Sequence, residues 1–169
     1  MMRTTRKIAV AIAATALLGA TGGATAQAAS VAAVGTAPSA CRPANHLAKI
    51  TNASSSAGHR HYRVTLTAPR GYDLCRLAGS PTAVRFSNRG SESGITAGRY
   101  GSQRTAVTFG PGHPVHFDIQ VPNNGCGVPA DEASFTLRAP GGEIPGTSVA
   151  DGRLRVAAGT LVGPVRGGA

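Results

Sequence analysis

Residues 115–121 read Val-His-Phe-Asp-Ile-Gln-Val, with an apolar side chain at every second position and a polar one between. Successive side chains of a β-strand point to opposite faces of a sheet, so this alternation predicts a strand with one buried face. Residues 62–67, Tyr-Arg-Val-Thr-Leu-Thr, repeat the pattern. The two stretches together predict an all-β chain.

Shorter alternating stretches surround these two. They lie at residues 47–51, 84–86, 105–109, 135–138 and 153–157. Turn signals separate them: Asn88-Arg89-Gly90, Gly110-Pro111-Gly112, Pro122-Asn123-Asn124-Gly125 and Pro140-Gly141-Gly142. Proline fixes φ and glycine accepts positive φ, which is what tight turns require. About seven or eight short strands of this kind predict two antiparallel sheets packed face to face, an Ig-like β-sandwich in architecture.

The N-terminus has the three parts of a secretory signal peptide. Residues 3–7 carry three positive charges, residues 8–20 form an uncharged apolar run, and Ala26-Gln27-Ala28 matches the small-residue pattern of a cleavage site. Ala24-Thr25-Ala26 is a second candidate for cleavage. A membrane span needs about 20 strongly apolar residues, more than this alanine-rich run supplies. We therefore expect residues 1–28 to be a signal peptide cleaved near Ala28, and the mature chain to be secreted without a transmembrane segment.

The rest of the chain divides by composition. Cys41 lies far beyond the apolar run and has Pro38 at its minus-three position, unlike the anchored cysteine of a bacterial lipoprotein. We therefore expect a released protein and not a lipoprotein. The small residues of 29–40 predict a flexible linker. Residues 41–165 are the expected β-sandwich domain, and residues 166–169 are an expected disordered tail.

The charge is basic and is carried by arginine. The formal net charge of +10 includes three positive charges of the signal, which leaves +7 on the mature chain. Five arginines share the outward parity of their predicted strands: Arg63, Arg85, Arg138, Arg153 and Arg155. They predict a basic face for anionic cell-envelope polymers, phospholipid headgroups or nucleic acid, or alternatively a soluble positive surface without a ligand. The chain has no Trp and few Phe or Tyr, which argues against a carbohydrate-binding module and a nucleic-acid partner.

Catalytic and metal-binding motifs are incomplete. Residues 90–94 read Gly-Ser-Glu-Ser-Gly, with Glu where a nucleophile elbow requires Ser, and the few carboxylates are scattered. We expect neither an enzyme nor a cofactor. His59 and His61 share one strand face and could meet His116 from a neighbouring strand, which makes these three the weak candidates for a zinc or copper site. Arg60 and Arg63 would repel a cation, so we expect solvated surface histidines and no metal.

The chain has three cysteines, Cys41, Cys75 and Cys126. In an exported protein they suggest one disulfide and one cysteine left over. None of them belongs to a Cys-x-x-Cys pair, which argues against a redox motif or a zinc site.

Several spaced motifs resemble one known family. They are Cys41, the pattern Gly-x-x-x-Tyr-x-x-x-Leu-Thr over 58–67, Cys-Arg-Leu-Ala-Gly-Ser-Pro over 75–81, Val-Thr-Phe-Gly-Pro-Gly over 107–112, and Cys126. The stretch 41–165 resembles domain-of-unknown-function family 4232, which comprises secreted proteins and lipoproteins of high-GC Gram-positive bacteria. The resemblance implies an exported β-sandwich with no established activity. The chain departs from the family at Ser80, where members typically have an aromatic residue, and near 149–152, where members commonly carry a fourth cysteine.

The resemblance also implies the cysteine pairing. With the family's fourth cysteine missing, the implied disulfide joins Cys41 to Cys75, and Cys126 is left as a free or intermolecular thiol. We therefore predict a secreted, non-enzymatic β-sandwich that acts through binding or as an envelope-associated module. Its expected partner is an anionic envelope polymer or an extracellular protein. The alternatives are an inhibitor of an extracellular hydrolase, with residues 88–104 as its insert, and a metal-binding protein.

Overall fold

A computed structural model describes residues 38–123 and 127–168. A short 3-10 helix, Pro43–Asn45, precedes the strands. The described residues form fourteen strands: β1 (Leu47–Ser56), β2 (His59–Thr67), β3 (Cys75–Ala78), β4 (Thr82–Asn88), β5 (Ser91–Glu92), β6 (Gly98–Arg99), β7 (Ala106–Phe109), β8 (Val115–Pro122), β9 (Val128–Thr136), β10 (Arg138–Ala139), β11 (Gly142–Glu143), β12 (Ser148–Val156), β13 (Leu161–Val162) and β14 (Arg166–Gly167). The predicted signal peptide, most of the predicted linker and Cys126 lie outside the described residues.

Ten strands join into one curled sheet. Its order is β5-β4-β9-β12-β1-β2-β8-β13-β6, and β14 pairs with β8 beside this path. The pairs β1–β12 and β13–β6 are parallel, so the sheet is mixed. Two further two-stranded sheets, β3–β7 and β10–β11, are antiparallel.

The core lies on the inner face of the curled sheet. Along β8 the side chains alternate between buried and half-buried, as the sequence of 115–121 predicts. Along β2 the buried side chains are Tyr62, Val64 and Leu66. Phe117 of β8 belongs to the same cluster, and Phe86 of β4 and Phe135 of β9 complete it. The period-2 pattern therefore identified the buried face correctly.

The all-β prediction is confirmed, and three of the predicted turns connect strands as expected. Arg89 and Gly90, both with positive φ, join β4 to β5, and Gly110-Pro111-Gly112 lies between β7 and β8. Pro140-Gly141 joins β10 to β11. The fourth predicted turn, 122–125, lies partly outside the described residues. The strand arrangement differs from the expected seven or eight antiparallel strands, because β1 runs parallel to β12 and short strands extend the sheet.

Two boundaries of the expected domain require correction. The predicted flexible linker ends before residue 40: the N–H of Ala40 donates to the carbonyl of Asp73 at 3.0 Å, and Ala40 is fully buried. The predicted disordered tail is ordered through residue 168, since β14 pairs with β8 opposite Val115 and His116. These backbone groups of β8 would otherwise form an unpaired strand edge, which explains why the tail is held.

Within the described ranges, no helix has the length and apolar character needed to cross a membrane.

Candidate ligand-binding groove

Cys41 and Cys75 form a disulfide, with their Cα atoms 6.0 Å apart. Cys41 precedes the 3-10 helix, and Cys75 begins β3. The bond therefore fastens the start of the domain to the two-stranded β3–β7 sheet. The pairing is the one that the family resemblance implied.

A groove of about 880 Å³ opens beside this disulfide. We call it the disulfide groove. Three segments line it: residues within 39–44, residues 75–76, and residues within 139–145. Its walls are mainly apolar, because the lining includes the disulfide, three prolines, two alanines and Ile144.

Two arginines stand at the rim of the groove. Arg42 directly follows Cys41 and Arg76 directly follows Cys75, and both side chains are exposed. Adjacent Cα atoms are about 3.8 Å apart, so the disulfide keeps the Cα atoms of the two arginines within about 14 Å of each other. Neither arginine takes part in an ion pair among the residues that the structure describes.

A buried histidine fixes the wall that carries Arg42. The Nδ1–H of His46 donates to the carbonyl of Ala40 at 3.0 Å, and Nε2 accepts from the Ser148 hydroxyl at 3.0 Å. The imidazole also meets the ring of Phe109 edge to face, with centroids 5.6 Å apart. Burial lowers the pKa of His46, and backbone hydrogen bonds oppose this only in part. The neutral imidazole therefore joins residue 40, strand β12 and the core.

The opposite wall is the hairpin of β10 and β11 together with residues 144–145. The N–H of Ile144 donates to the carbonyl of Leu137 at 2.8 Å, which continues the β10–β11 pairing by one residue on each strand. Gly146 has φ of +104°, and a Cβ there would lie 3.0 Å from Cγ of Pro43. The two walls thus meet closely at this end of the groove.

The three candidate metal ligands are not brought together. His59 and His61 lie near each other, with ring centroids 6.4 Å apart, but His61 is bonded to the Ser56 hydroxyl. In the β2–β8 register, His61 lies opposite Gln120 and Thr65 lies opposite His116. Four residues of strand, about 13 Å, therefore separate His116 from His61. The described residues contain no group of three or more His, Cys, Asp or Glu side chains able to hold a metal ion.

The five arginines expected on one basic face do not form a continuous surface. Arg138 lies on the separate β10–β11 sheet. Arg63 approaches Asp118 at 3.6 Å, and Arg85 approaches Glu92 at 3.3 Å.

The two remaining arginines of that set lie on β12. Arg155 donates to the carbonyl of Gly127, so its guanidinium is held by backbone, and Arg153 is exposed. The outer face of the same sheet also carries carboxylates, since Asp151 of β12 lies opposite Glu132 of β9. Positive and negative charges are therefore mixed on this face.

The segment 88–104, expected as an inhibitory insert, is fastened to the domain. Its strand β6 pairs with β13. The Gln103 side chain accepts from the N–H of Ser80 at 2.9 Å and donates to the Ser80 hydroxyl at 3.0 Å. Gly101 packs beneath Pro164, where a Cβ would lie 2.9 Å from Cδ of the proline ring.

Sequence reasoning missed the groove and its polar residues Arg42, Arg76 and His46. One signal was present in the sequence, because an arginine directly follows each of the two paired cysteines. Once the pairing is known, the Cα atoms of the two arginines must lie within about 14 Å of each other. The cysteine positions do not indicate the opposite wall, because residues 139–145 are separated from Cys75 by more than sixty positions of sequence.

Comparison with known proteins gives one family. A model of a domain of unknown function, DUF4232, matches residues 41–165. No curated protein and no solved structure matches the chain. The match extends over most of the chain and includes every residue that lines the groove except Ser39. The chain therefore belongs to the DUF4232 family.

Proposed function

We propose that this protein is an exported, non-enzymatic binding module and that the disulfide groove is its ligand site. The observation that carries the proposal is the groove itself, about 880 Å³ in volume with mainly apolar walls. Pockets that hold small ligands have volumes of roughly 300–1,000 Å³ and are lined mainly by apolar groups with a few polar ones. The two rim arginines are those polar groups.

The groove is built to keep its shape without a ligand. The disulfide joins two of its segments, and His46 anchors the segment that carries Arg42 through two hydrogen bonds. A preformed site binds more tightly because less conformational freedom is lost on binding. Disulfides persist in oxidising compartments, so the bridge also supports the export that the N-terminal sequence predicts.

A binding role also suits the chemistry of the chain. The sequence carries no complete motif among the catalytic motifs that we considered, and its seven Asp and Glu residues are scattered. We further infer that the curled sheet closes over its core as a sandwich of Ig-like architecture. The contact between Phe117 and Phe135 across the core supports this closure.

Binding of an amphiphilic fluorescent dye, with an aromatic body and one sulfonate group, tests the proposal. The purified domain should bind the dye anilinonaphthalene sulfonate at one saturable site. Ala44 lines the groove and is exposed, so Ala44→Trp should obstruct the site without disturbing the core. Ala57→Trp is the matched control, because Ala57 is exposed in the turn between β1 and β2. Equal dye binding by both variants, or no saturable binding by the wild type, would refute the proposal.

Two expectations from the sequence stay predictions. Association with anionic envelope polymers rests on the net charge alone, and salt-sensitive cosedimentation with purified cell wall tests it. Inhibition of an extracellular hydrolase is tested with a panel of such enzymes, and no contact of segment 88–104 favours it over groove binding.

A further inference from the structure

We infer that the disulfide groove binds a single-chain fatty acid, with its carboxylate between Arg42 and Arg76 and its hydrocarbon chain along the apolar walls. This inference rests on the proposed function, since it names the ligand of the same site. Three features of the groove carry it: the scarcity of free backbone donors along its walls, the pair of rim arginines, and the small number of other polar groups.

The walls offer little to a peptide. Pro43, Pro140 and Pro145 have no N–H group. The N–H of Arg42 already donates to the carbonyl of Ser39 at 3.2 Å, and that of Ile144 to Leu137 at 2.8 Å. Five of the eleven lining residues therefore offer no N–H to a peptide carbonyl, and a peptide carbonyl left without a partner costs free energy. A hydrocarbon chain has no such requirement, so the walls favour a chain of methylene groups.

The rim supplies the partner for an anionic head. Arg42 and Arg76 are exposed, follow the two halves of one disulfide, and are in no ion pair among the described residues. A guanidinium group presents its N–H donors in a planar fork that fits a carboxylate with two parallel hydrogen bonds. The net charge of the mature chain, +10 less the three positive charges of the predicted signal peptide, is +7 and adds a general attraction for an anion.

The small number of polar side chains in the groove limits the size of the headgroup that the groove can bind. Besides the two arginines, the lining contains one further polar side chain, that of Ser39. These groups satisfy a carboxylate. The hydroxyl and ester groups of a glycerol headgroup would need additional partners, and unpaired polar groups in an apolar site weaken binding. We therefore commit to a fatty acid and not to a glycerolipid.

Displacement of the bound dye by amphiphiles tests the roles of the ligand's headgroup and of its hydrocarbon chain separately. Laurate, dodecanol and dodecyltrimethylammonium share one chain length and differ in the charge of the head. Used below their aggregation concentrations, laurate should bind at least about 10-fold more tightly than dodecanol, because a hydrogen bond to a charged group is stronger than one to a neutral group. Each two-carbon extension from octanoate to laurate should tighten binding by about 4-fold to 15-fold.

Two double variants test the arginines. Arg42→Gln/Arg76→Gln should weaken laurate binding by about 10-fold or more and leave dodecanol binding unchanged. The matched control Arg104→Gln/Arg153→Gln removes two exposed charges outside the groove. It should bind laurate as the wild type does at moderate salt, where distant charges are screened.

The outcomes separate the inference from the proposed function. If dye binds in the groove but laurate and dodecanol bind equally, or if the two double variants behave alike, the inference on the headgroup is overturned and the groove remains a binding site. Tighter binding of dodecyl phosphate, lysophosphatidate or an apolar peptide than of laurate also overturns it. If neither dye nor any amphiphile binds, the proposed function itself fails.

Discussion

The rings of Phe117 and Phe135 meet edge to face with their centroids 5.1 Å apart. Phe117 lies on β8 and Phe135 on β9, and the sheet order places β12, β1 and β2 between these two strands. Neighbouring strands lie about 4.8 Å apart, so four steps across a flat sheet would separate the two strands by about 19 Å. The sheet therefore curls until its inner face closes on itself, and the two rings meet inside.

This contact predicts an energetic coupling between strands that are far apart in the sheet. In a double-mutant cycle, Phe117→Leu and Phe135→Leu should show a coupling of about 0.5–1.5 kcal/mol, the range for aromatic pairs beyond their burial. Urea unfolding of the four proteins gives the value. Val149→Ala serves as the second site of a control cycle with Phe117→Leu, because Val149 is exposed on the opposite face of the sheet. A coupling at Phe135 no larger than that control would contradict the curled arrangement.

A second prediction concerns position 152 of β12, where the sheet requires glycine. Gly152 interrupts the register of β12 with φ of +151°, and a Cβ there would lie 2.7 Å from Cβ of Ile50 and would collide with the Ile50 carbonyl. Gly152→Ala should therefore lower the free energy of unfolding by about 3 kcal/mol through steric overlap and backbone strain.

Gly141 provides the matched control for this substitution. It lies in the β10–β11 turn, and a Cβ there meets nothing within 4 Å. Gly141→Ala should change stability by less than about 1 kcal/mol. Similar midpoints of urea unfolding for the two variants would show that β12 can move away from Ile50, which would contradict a requirement for glycine at position 152.

The disulfide predicts a joint loss of stability and binding. Cys41→Ser/Cys75→Ser opens a loop with a sequence separation of 34 residues, which should destabilise the fold by about 3–4 kcal/mol in the chain-entropy model. Dye binding should fall as well, because residues 39–44 lose their covalent link to β3. Adding reductant to the wild type should reproduce both effects and should leave the double variant unchanged. Full dye binding after complete reduction would argue against the disulfide as a support of the groove.

His46 predicts a loss of stability on acidification. Burial lowers its pKa in the folded state below the ordinary value of 6.5. Between the two pKa values the unfolded chain binds the proton more readily, so the free energy of unfolding falls as the pH drops from 6.5 toward the folded pKa. The contribution has a limiting slope of about 1.4 kcal/mol per pH unit and stops below the folded pKa.

A comparison of variants isolates this contribution. His46→Gln keeps a donor and an acceptor but cannot titrate, so its unfolding free energy should depend less on pH between 4 and 7 than that of the wild type. His113→Gln, which replaces an exposed histidine beside the β7–β8 turn, should follow the wild type. Parallel pH profiles for wild type and His46→Gln would show that His46 is not the group responsible.

The sequence predicted strands well where one face is buried. Alternation over 62–67 and 115–121 marked β2 and β8, because a strand between core and solvent has two chemically different faces. It missed the serine-rich end of β1 and the start of β9, where Pro129 and two carboxylates are unusual for a strand. Strands of two residues have no measurable period, and the parallel pairing of β1 with β12 depends on tertiary contacts.

The candidate site was less predictable than the fold. Arg42 and Arg76 could be located once Cys41 and Cys75 were paired, since each follows a cysteine directly. The wall around Ile144 comes from a distant part of the chain. The weak candidate for a metal site also depended on tertiary structure: His61 and His116 share a face, but the register of β2 against β8 separates them by four residues.

Mapping the ligand by NMR decides whether the disulfide groove is the ligand site. Titration of the isotopically labelled protein with laurate should shift the amide signals of Cys41, Arg42, Arg76 and Ile144, and the Ala44→Trp variant should lose these shifts. The amides of the outer sheet face, such as that of Thr51, should stay in place. Shifts that concentrate on the outer face, or no shifts at saturating laurate, would contradict the assignment of the disulfide groove as the ligand site.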